Sequence, residues 1–373
     1  MKISRIAQVG AVAAVAALAL AGCASNETPA GGDTDAPATS DLSGAIAGGG
    51  ASSQEVAVSA WTAGFQTANP DVDVTYDPAG SGAGRESFQA GAFPFAGSDR
   101  AFKIDEIEAG PFDGCVDGSG IIELPTYISP IAVIFNIEGV DALNLDAATI
   151  AGLFAGTITN WNDPAIAALN EGVELPDLAV VPVHRADDSG TTENFTDYLG
   201  QAAADVWTFE ADGVWPSDVA VAGEAAQGTS GVVSAVSGGN GSIGYADASR
   251  AAEEGLSSAS VQVGDDFVAY SPEAAAAIVD ASPFEEGRGE GDLAIALDRT
   301  SEEAGVYPIV LVSYMIACQE YADAEAAPIV KAYLEYVASA EGQDAAAAAS
   351  GNAPISDALR EQVNAAIELI VAE

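Results

Sequence analysis

The sequence is poor in histidine, cysteine and basic residues. Its 373 residues include one His, 3 Cys and 11 Lys plus Arg, against 56 Asp plus Glu. With His184 as the single histidine, a metal site built from several histidines is excluded, and Ser-His-Asp catalysis would have to use this one residue. His184 ends an apolar run beside Arg185, where we expect a packed or rim residue rather than a base. The sequence therefore does not favour an enzyme.

The shortage of basic residues leaves a formal net charge of −45. The acidic residues are scattered along the chain, which indicates a solvated acidic surface. Such a surface repels nucleic acid, so we predict no nucleic-acid partner. It also acts against any anion site, which must therefore depend on short-range donors.

The N-terminus has the pattern of an export signal. Met1–Arg5 is basic, Gly10–Leu20 is apolar but too short to span a bilayer, and Leu20-Ala-Gly-Cys23 follows. This ending resembles the bacterial lipobox, which implies cleavage before Cys23 and a lipid on it; a plain signal peptide with a chance cysteine is the alternative. Residues 1–23 are predicted to be a lipoprotein signal peptide. Residues 24–43, rich in Ser, Thr, Pro, Gly and Asp, are predicted to be a flexible tether.

Two further cysteines remain, Cys115 and Cys318. An exported location permits a disulfide, and this is the one available pair once Cys23 carries a lipid. We expect the bridge; two buried free thiols are the alternative.

The middle of the chain alternates strand-like and helix-like segments, which predicts an α/β fold. A strand at 44–47, a helix at 54–67 and a strand at 73–76 come first, followed by the turn Gly80-Ser-Gly-Ala-Gly84. Long apolar strands are predicted at 125–136, 178–183 and 307–317. The acidic, Gly-rich stretch 283–305 is predicted to be a surface excursion, and helices are predicted at 326–338, 345–349 and 356–371.

The turn Arg185-Ala-Asp-Asp-Ser-Gly-Thr-Thr192 lies between a predicted strand and a predicted helix. Taken alone, it is typical of an ordinary helix N-cap. The same elements also suit an anion, because a helix start offers unpaired N–H groups and a positive dipole end. Ser52 and Ser81 mark two further hydroxyl-bearing helix starts, and in α/β folds such starts meet at the carboxyl ends of the strands.

Five segments in this order resemble the phosphate-binding lipoproteins of bacterial phosphate ABC transporters, over roughly residues 44–350. They are Tyr76-Asp-Pro-Ala-Gly-Ser-Gly-Ala-Gly-Arg85, Phe95-Ala-Gly-Ser-Asp99, Ile158-Thr-Asn-Trp-Asn-Asp-Pro-Ala-Ile-Ala-Ala-Leu-Asn170, His184-Arg-Ala-Asp-Asp-Ser-Gly-Thr-Thr192 and Gly241-Ser-Ile-Gly-Tyr245.

This resemblance implies a two-lobed periplasmic-binding-protein fold of type II, with two crossovers. Each lobe would be a mixed, mainly parallel sheet flanked by helices. Lobe I would comprise 44–125 and 306–373, and lobe II 126–305; both Cys115 and Cys318 would then fall in lobe I. The implied function is extracytoplasmic capture of inorganic phosphate by a lipid-anchored monomer, without a cofactor or metal, and delivery to membrane permease subunits. Binding of another tetrahedral oxyanion, sulfate or molybdate, is the alternative.

The resemblance also implies a set of phosphate contacts. These are Ala51, Ser52, Ser53, Ser81, Asp99, Arg185, Ser189, Gly190 and Thr191, with Asp187 holding Arg185. Ser52-Ser53 stands where the family usually has Thr-Phe, so the hydroxyl is kept at Ser52 and an aromatic wall is lost at Ser53. Asp99 suits an anion that carries a proton, because its carboxylate accepts from P–OH and would reject sulfate. An N-cap role is the alternative for Asp99.

Overall fold

The computed structural model describes residues 42–221 and 223–372. The predicted signal peptide, Cys23 and nearly all of the tether lie outside the described residues. Within them, none of the helices combines the length and the apolar character needed to cross a membrane.

Strands and helices alternate through most of the described chain. The strands are β1 (Gly44–Gly50), β2 (Val72–Asp77), β3 (Phe95–Ser98), β4 (Ile121–Asn136), β5 (Leu143–Leu145), β6 (Val181–Arg185), β7 (Glu224–Ala226), β8 (Ser242–Asp247), β9 (Ser257–Val263), β10 (Asp266–Val268), β11 (Val310–Cys318), β12 (Glu320–Tyr321) and β13 (Val371–Ala372). The helices are α1 (Glu55–Ala68), α2 (Ser81–Gln89), α3 (Ile104–Ala109), α4 (Ala147–Ala155), α5 (Pro164–Leu169), α6 (Gly190–Ala202), α7 (Gly228–Gly238), α8 (Ala248–Glu253), α9 (Pro272–Ala281), α10 (Ala326–Ala338), α11 (Ala340–Ser350) and α12 (Asp357–Ile367).

Most of the strands join one mixed sheet in the order β2-β1-β3-β11-β4-β8-β6-β7. β1 runs parallel to β2 and β3, and β6 runs parallel to β7 and β8. The antiparallel pairs along this path involve β4 or β11. The predicted α/β class is confirmed, with two parallel groups joined through antiparallel strands.

The long strand β4 divides this sheet into two halves. Its residues 121–130 pair with β11, whereas residues 131–136 pair with β8. We call β2-β1-β3-β11 with the first part of β4 the first half-sheet. The second part of β4 with β8-β6-β7 is the second half-sheet. Nearly all residues of β4 are buried, which suits a strand shared by both halves of a covered sheet.

Helices cover the half-sheets through apolar faces at helical spacing. In α1, Ala57, Val58, Trp61 and Phe65 are buried, and the Trp61 indole donates to the carbonyl of Gly342 at 2.8 Å. Burial of a large aromatic side chain stabilises the fold by roughly 2–3 kcal/mol. Trp61 therefore holds α1 against α11, and with it the turn that leads from β1 into α1.

Cys115 and Cys318 form a disulfide with their Cα atoms 5.4 Å apart. Cys318 ends β11 and Cys115 forms a bridge with Tyr321, so the bond lies at the carboxyl end of β11.

Three of the sequence expectations require correction. The predicted strand 178–183 begins only at Val181, because Leu178 and Val180 bond instead to the loop at 159–161. The helix predicted over 356–371 ends at Ile367, and Val371 pairs with β12. The stretch 283–305 is not wholly a surface excursion: within it, Arg299 is only 3% exposed.

Candidate functional site

The carboxyl ends of strands from both half-sheets meet in one buried region. β1, β2 and β3 lead into Ala51, the turn before Ser81, and Asp99, while β6 ends at Arg185. The nine expected contact residues are all buried in the described structure. In a sheet of this kind the carboxyl ends of parallel strands are the usual place for a ligand.

Asp99 lies at the centre of this region and accepts hydrogen bonds from both half-sheets. Ser53 Oγ donates to its Oδ1 at 2.5 Å, and Thr191 Oγ1 donates to its Oδ2 at 2.8 Å. Its backbone N–H donates to Ser81 Oγ at 3.2 Å. No helix begins at Asp99, since α3 starts at Ile104. The N-cap interpretation of Asp99 is therefore wrong.

The surroundings of Asp99 shift its ionisation. Burial raises the pKa of Asp99, while the hydrogen bonds from Ser53 and Thr191 and the charge of Arg185 limit the rise. A carboxylate accepts and cannot donate. Ionised Asp99 therefore favours a partner that carries a proton and disfavours one that does not.

Arg185 is held by an acidic partner two residues further along the chain. Its Nε donates to Asp187 Oδ1 at 2.8 Å and its Nη2 donates to Asp187 Oδ2. The N–H of Gly228 also donates to Asp187 Oδ1, at 3.0 Å. Burial opposes ionisation of Asp187, but the bonds from Arg185 hold its pKa below the ordinary value. The Arg185 side chain is only 2% exposed, so this pair fixes the direction of its remaining donors.

The start of α6 is both an ordinary helix N-cap and a helix end that can attract an anion. Ser189 is the N-cap, and its Oγ accepts from the N–H of Thr192 at 3.2 Å. The cap takes up one of the first N–H groups of the helix, and the helix dipole places partial positive charge beside Gly190 and Thr191. An N-cap and an anion-attracting helix start are therefore compatible here.

The turn after β1 agrees only partly with expectation. The N–H of Ala51 donates to the carbonyl of Gly97 at 2.8 Å, so the expected donor at Ala51 is already used within the first half-sheet. Gly50 has φ 136°, and a Cβ there would lie 2.0 Å from the Gly97 carbonyl oxygen. Glycine is required at this turn because β1 and β3 approach so closely. Ser53, which departs from the usual family residue, contacts Asp99 directly.

Comparison with known proteins places the chain in a family. A family model for a PBP superfamily domain matches residues 30–341. The phosphate-binding protein PstS 3 of Mycobacterium leprae is 33% identical over 365 residues, which are 94% of this chain and 95% of the relative. The phosphate-binding protein PstS 2 of Mycobacterium tuberculosis is 35% identical over 298 residues, 77% of each chain.

The chain belongs to the PstS family of phosphate-binding proteins.

A solved structure supports the two-lobed fold of this PstS-family chain. It is that of PfluDING, a high-affinity periplasmic phosphate-binding protein with phosphate bound, and it has a TM-score of 0.70 and 23% identity. The alignment covers 86% of this chain and 93% of the other. At this identity the likeness concerns the fold alone.

Sequence reasoning missed several polar residues of the site. Thr229 Oγ1 lies 3.1 Å from Ser52 Oγ, and the Thr229 N–H donates to the same oxygen at 3.1 Å. Gly228-Thr229 begins α7 after a short strand, so the strand–turn–helix pattern used for Ser189 would have found it. The Tyr245 hydroxyl accepts from the Arg185 N–H at 3.3 Å, and nothing local in the sequence signals that contact.

His184 has a packing role, as expected. Its ring stacks on Trp215 with ring centroids 4.8 Å apart and planes 8° from parallel. Among the described residues, no group of three or more His, Cys, Asp or Glu side chains is arranged to hold a metal ion.

Proposed function

We propose that this chain captures inorganic phosphate outside the cytoplasm and delivers it to an ABC-type importer. One observation carries the proposal. Asp99 accepts one hydroxyl hydrogen bond from each half-sheet side, from Ser53 and Thr191, and it lies beside the buried Arg185 and the start of α6. Membership of the PstS family gives the same function class. The arrangement has the positive charge and the donors that an oxyanion needs, together with one acceptor that selects for a proton on it.

Each group in the site has a distinct task. Arg185 offers a planar fork of donors to two phosphate oxygens. Ser52, Ser81 and Ser189 offer hydroxyl donors, because their oxygens accept N–H groups and keep a hydrogen to donate. The hydroxyls of Ser53 and Thr191 donate to Asp99 and hold its carboxylate in place. The first N–H groups of α6, at Gly190 and Thr191, offer backbone donors. Asp99 accepts from P–OH. Sulfate, which carries no proton near neutral pH, would place unpaired negative charge against Asp99.

Phosphate binding is coupled to hinge closure between two lobes in this proposal. We place lobe I at 44–125 with 306–373 and lobe II at 126–305. The change of pairing partner in β4 between residues 130 and 131 supports a hinge near the first boundary. One segment assigned to lobe II, around Asp292, contacts the first half-sheet through Glu123.

The proposed cellular setting follows from the N-terminus. After cleavage, a lipid on Cys23 would hold a monomer at the outer face of the cell membrane, with residues 24–43 as the tether. The protein would hand phosphate to the permease subunits and would not turn it over, since the His184 ring stacks on Trp215 and its Nδ1 bonds the carbonyl oxygen of Arg185.

Calorimetry with phosphate, sulfate and molybdate tests the proposal. Phosphate should bind tightly and sulfate should not bind. Asp99→Asn should weaken phosphate binding roughly tenfold or more, the usual worth of a hydrogen bond to a charged group, and should reduce the preference over sulfate. Arg185→Ala should cost more phosphate affinity but less of the preference.

An exposed carboxylate provides the matched control for this experiment. Asp73 is exposed in β2, and Asp73→Asn removes one charge without touching the site. Equal binding of phosphate and sulfate by the wild type would reject the role given to Asp99. Hydrolysis of a generic phosphomonoester would contradict the binding-only function.

A further inference from the structure

Asn194, one turn into α6, connects the second half-sheet to the backbone of Asp99. Its Nδ2 donates to the carbonyl oxygen of Asp99 at 2.6 Å and to that of Gly190 at 2.9 Å. Asn194 is 8% exposed. With Thr191 on the carboxylate and Asn194 on the carbonyl, α6 holds Asp99 at both its side chain and its backbone.

Arg299 fixes the orientation of the Asn194 amide. The Arg299 Nη2 donates to Asn194 Oδ1, and Nε donates to Asp197 Oδ2 at 2.5 Å. A guanidinium group has donors and no acceptor. The oxygen of the Asn194 amide must therefore face Arg299, which leaves the NH₂ group to face Asp99.

The Arg299 guanidinium also donates to backbone carbonyl groups at and just before the start of β11. Its Nη1 donates to the carbonyl oxygens of Val310 at 2.9 Å and Pro308 at 3.3 Å. The neighbouring carbonyl, of Ile309, accepts from the N–H of Ile131 at 2.7 Å, where β4 changes partner. Arg299 thus links the start of β11 to α6, and Asn194 links α6 to Asp99.

We propose that Asn194 and Arg299 are positioning residues that hold the closed form of the site around Asp99. This inference rests on the proposed phosphate function. Asn194 and Asp99 belong to opposite half-sheets, so their hydrogen bond forms as the half-sheets close and breaks as they open. Losing it should speed phosphate release and leave capture nearly unchanged, because the open form lacks the bond in either case.

The substitution Asn194→Asp tests this directly. The carboxylate has the size of the amide and still accepts from Arg299, but it presents an acceptor to the Asp99 carbonyl. Stopped-flow measurement of tryptophan fluorescence with inorganic phosphate should show a release rate raised roughly tenfold or more, with the association rate within about twofold of wild type. The melting temperature of the phosphate-free protein should change little.

A charge-matched control and a second pair of variants complete the test. Asn364 is exposed on α12, so Asn364→Asp adds the same charge away from the site and should leave both rates unchanged. Asn194→Ala and Arg299→Lys should each speed release, and their effects should not add in the double variant, because both act through one contact.

The possible outcomes separate the two proposals. If the wild type fails to bind phosphate, the proposed function fails and this inference fails with it. If the wild type binds but Asn194→Asp releases phosphate at the wild-type rate, the inference alone is overturned. A loss confined to the association rate, or one equalled by Asn364→Asp, also overturns it.

Discussion

Gly190 lies where the two half-sheets approach each other closely. A Cβ placed there would lie 2.6 Å from Asp99 Cβ and 2.9 Å from Ser81 Oγ. Both distances are shorter than real Cβ contacts allow, and both atoms belong to the first half-sheet. Gly190 is the first residue of a helix, where alanine is intrinsically well tolerated. The need for glycine therefore arises from closure and not from local backbone strain.

Gly190→Ala should weaken phosphate binding and leave the open protein intact. Overpacking of this kind costs roughly 1–3 kcal/mol, which corresponds to about five- to 150-fold in affinity. Calorimetry gives the affinity and a thermal melt without phosphate gives the stability. Gly200→Ala in the same helix is the control, because its nearest atom would be the Phe209 carbonyl oxygen at 3.9 Å. An equal loss of affinity in both variants would contradict the argument.

The site residues differ in how far their local sequence reveals them. The pair Arg185 and Asp187 is two residues apart, so its contact could be predicted from the turn. Asn194 and Arg299 are separated by 105 residues, and each looks like an ordinary polar residue of its own segment. A contact between distant segments depends on how they pack, and a single sequence without local periodicity carries little signal for it.

At the scale of elements, β4 and β8 meet where the sheet changes from one half to the other. Asp247 ends β8 beside Ile131 and is buried. It accepts from the Tyr127 hydroxyl at 3.1 Å and from the Ser249 N–H at 2.9 Å. Burial raises the pKa of Asp247 from 3.8 to about 6, although the bonds from Ser249 oppose the shift. The neutral carboxyl is therefore the form that the fold favours at this junction.

This shift predicts that folding stability falls between pH 4 and pH 7. A folded pKa above the unfolded value contributes stability that is complete below about pH 4 and is lost as the pH rises through about 6. The contribution of Asp247 to this loss should amount to at most about 3 kcal/mol, and Asp247→Asn should remove that contribution and flatten the slope. Urea titrations at pH 4, 5, 6 and 7 give the free energies. Asp266→Asn, at an exposed position in β10, should keep the wild-type slope; an unchanged slope in Asp247→Asn would reject the assignment.

The elements were easier to predict than the way they join. Apolar runs identify β4 and β11 as buried strands, and helical spacing of Val58, Trp61 and Phe65 identifies α1. The sequence does not reveal that β4 serves two half-sheets, because the partners of its two parts, β11 and β8, come from distant segments of the chain. Nor does it reveal the burial of Arg299, which lies in an acidic, Gly-rich stretch but bonds to Val310 at the start of β11.

At the scale of the molecule, several basic residues of the described ranges lie where the half-sheets meet. Ion pairs there connect residues of the first half-sheet side with residues of the second. They are Arg85–Asp188, Arg100–Glu193, Lys103–Glu193 and Arg250–Glu55. Each of these cations faces a carboxylate, so its charge is largely cancelled at a distance. A dissolved anion therefore meets the field of the whole molecule, which carries −45 formal charges.

Phosphate association should consequently speed up as salt is added. Repulsion between charges is screened beyond about 30 Å at 10 mM ionic strength and beyond about 8 Å at 150 mM. We expect the association rate, measured by stopped flow, to rise several-fold over this range, which is the reverse of electrostatic steering. The double variant Glu55→Gln, Arg250→Gln removes the ion pairs of Arg250 with Glu55 and Glu253 without changing the net charge, so its salt dependence should match the wild type. A rate that falls with salt would mean that the cations of the cleft, and not the acidic surface, determine the approach of phosphate.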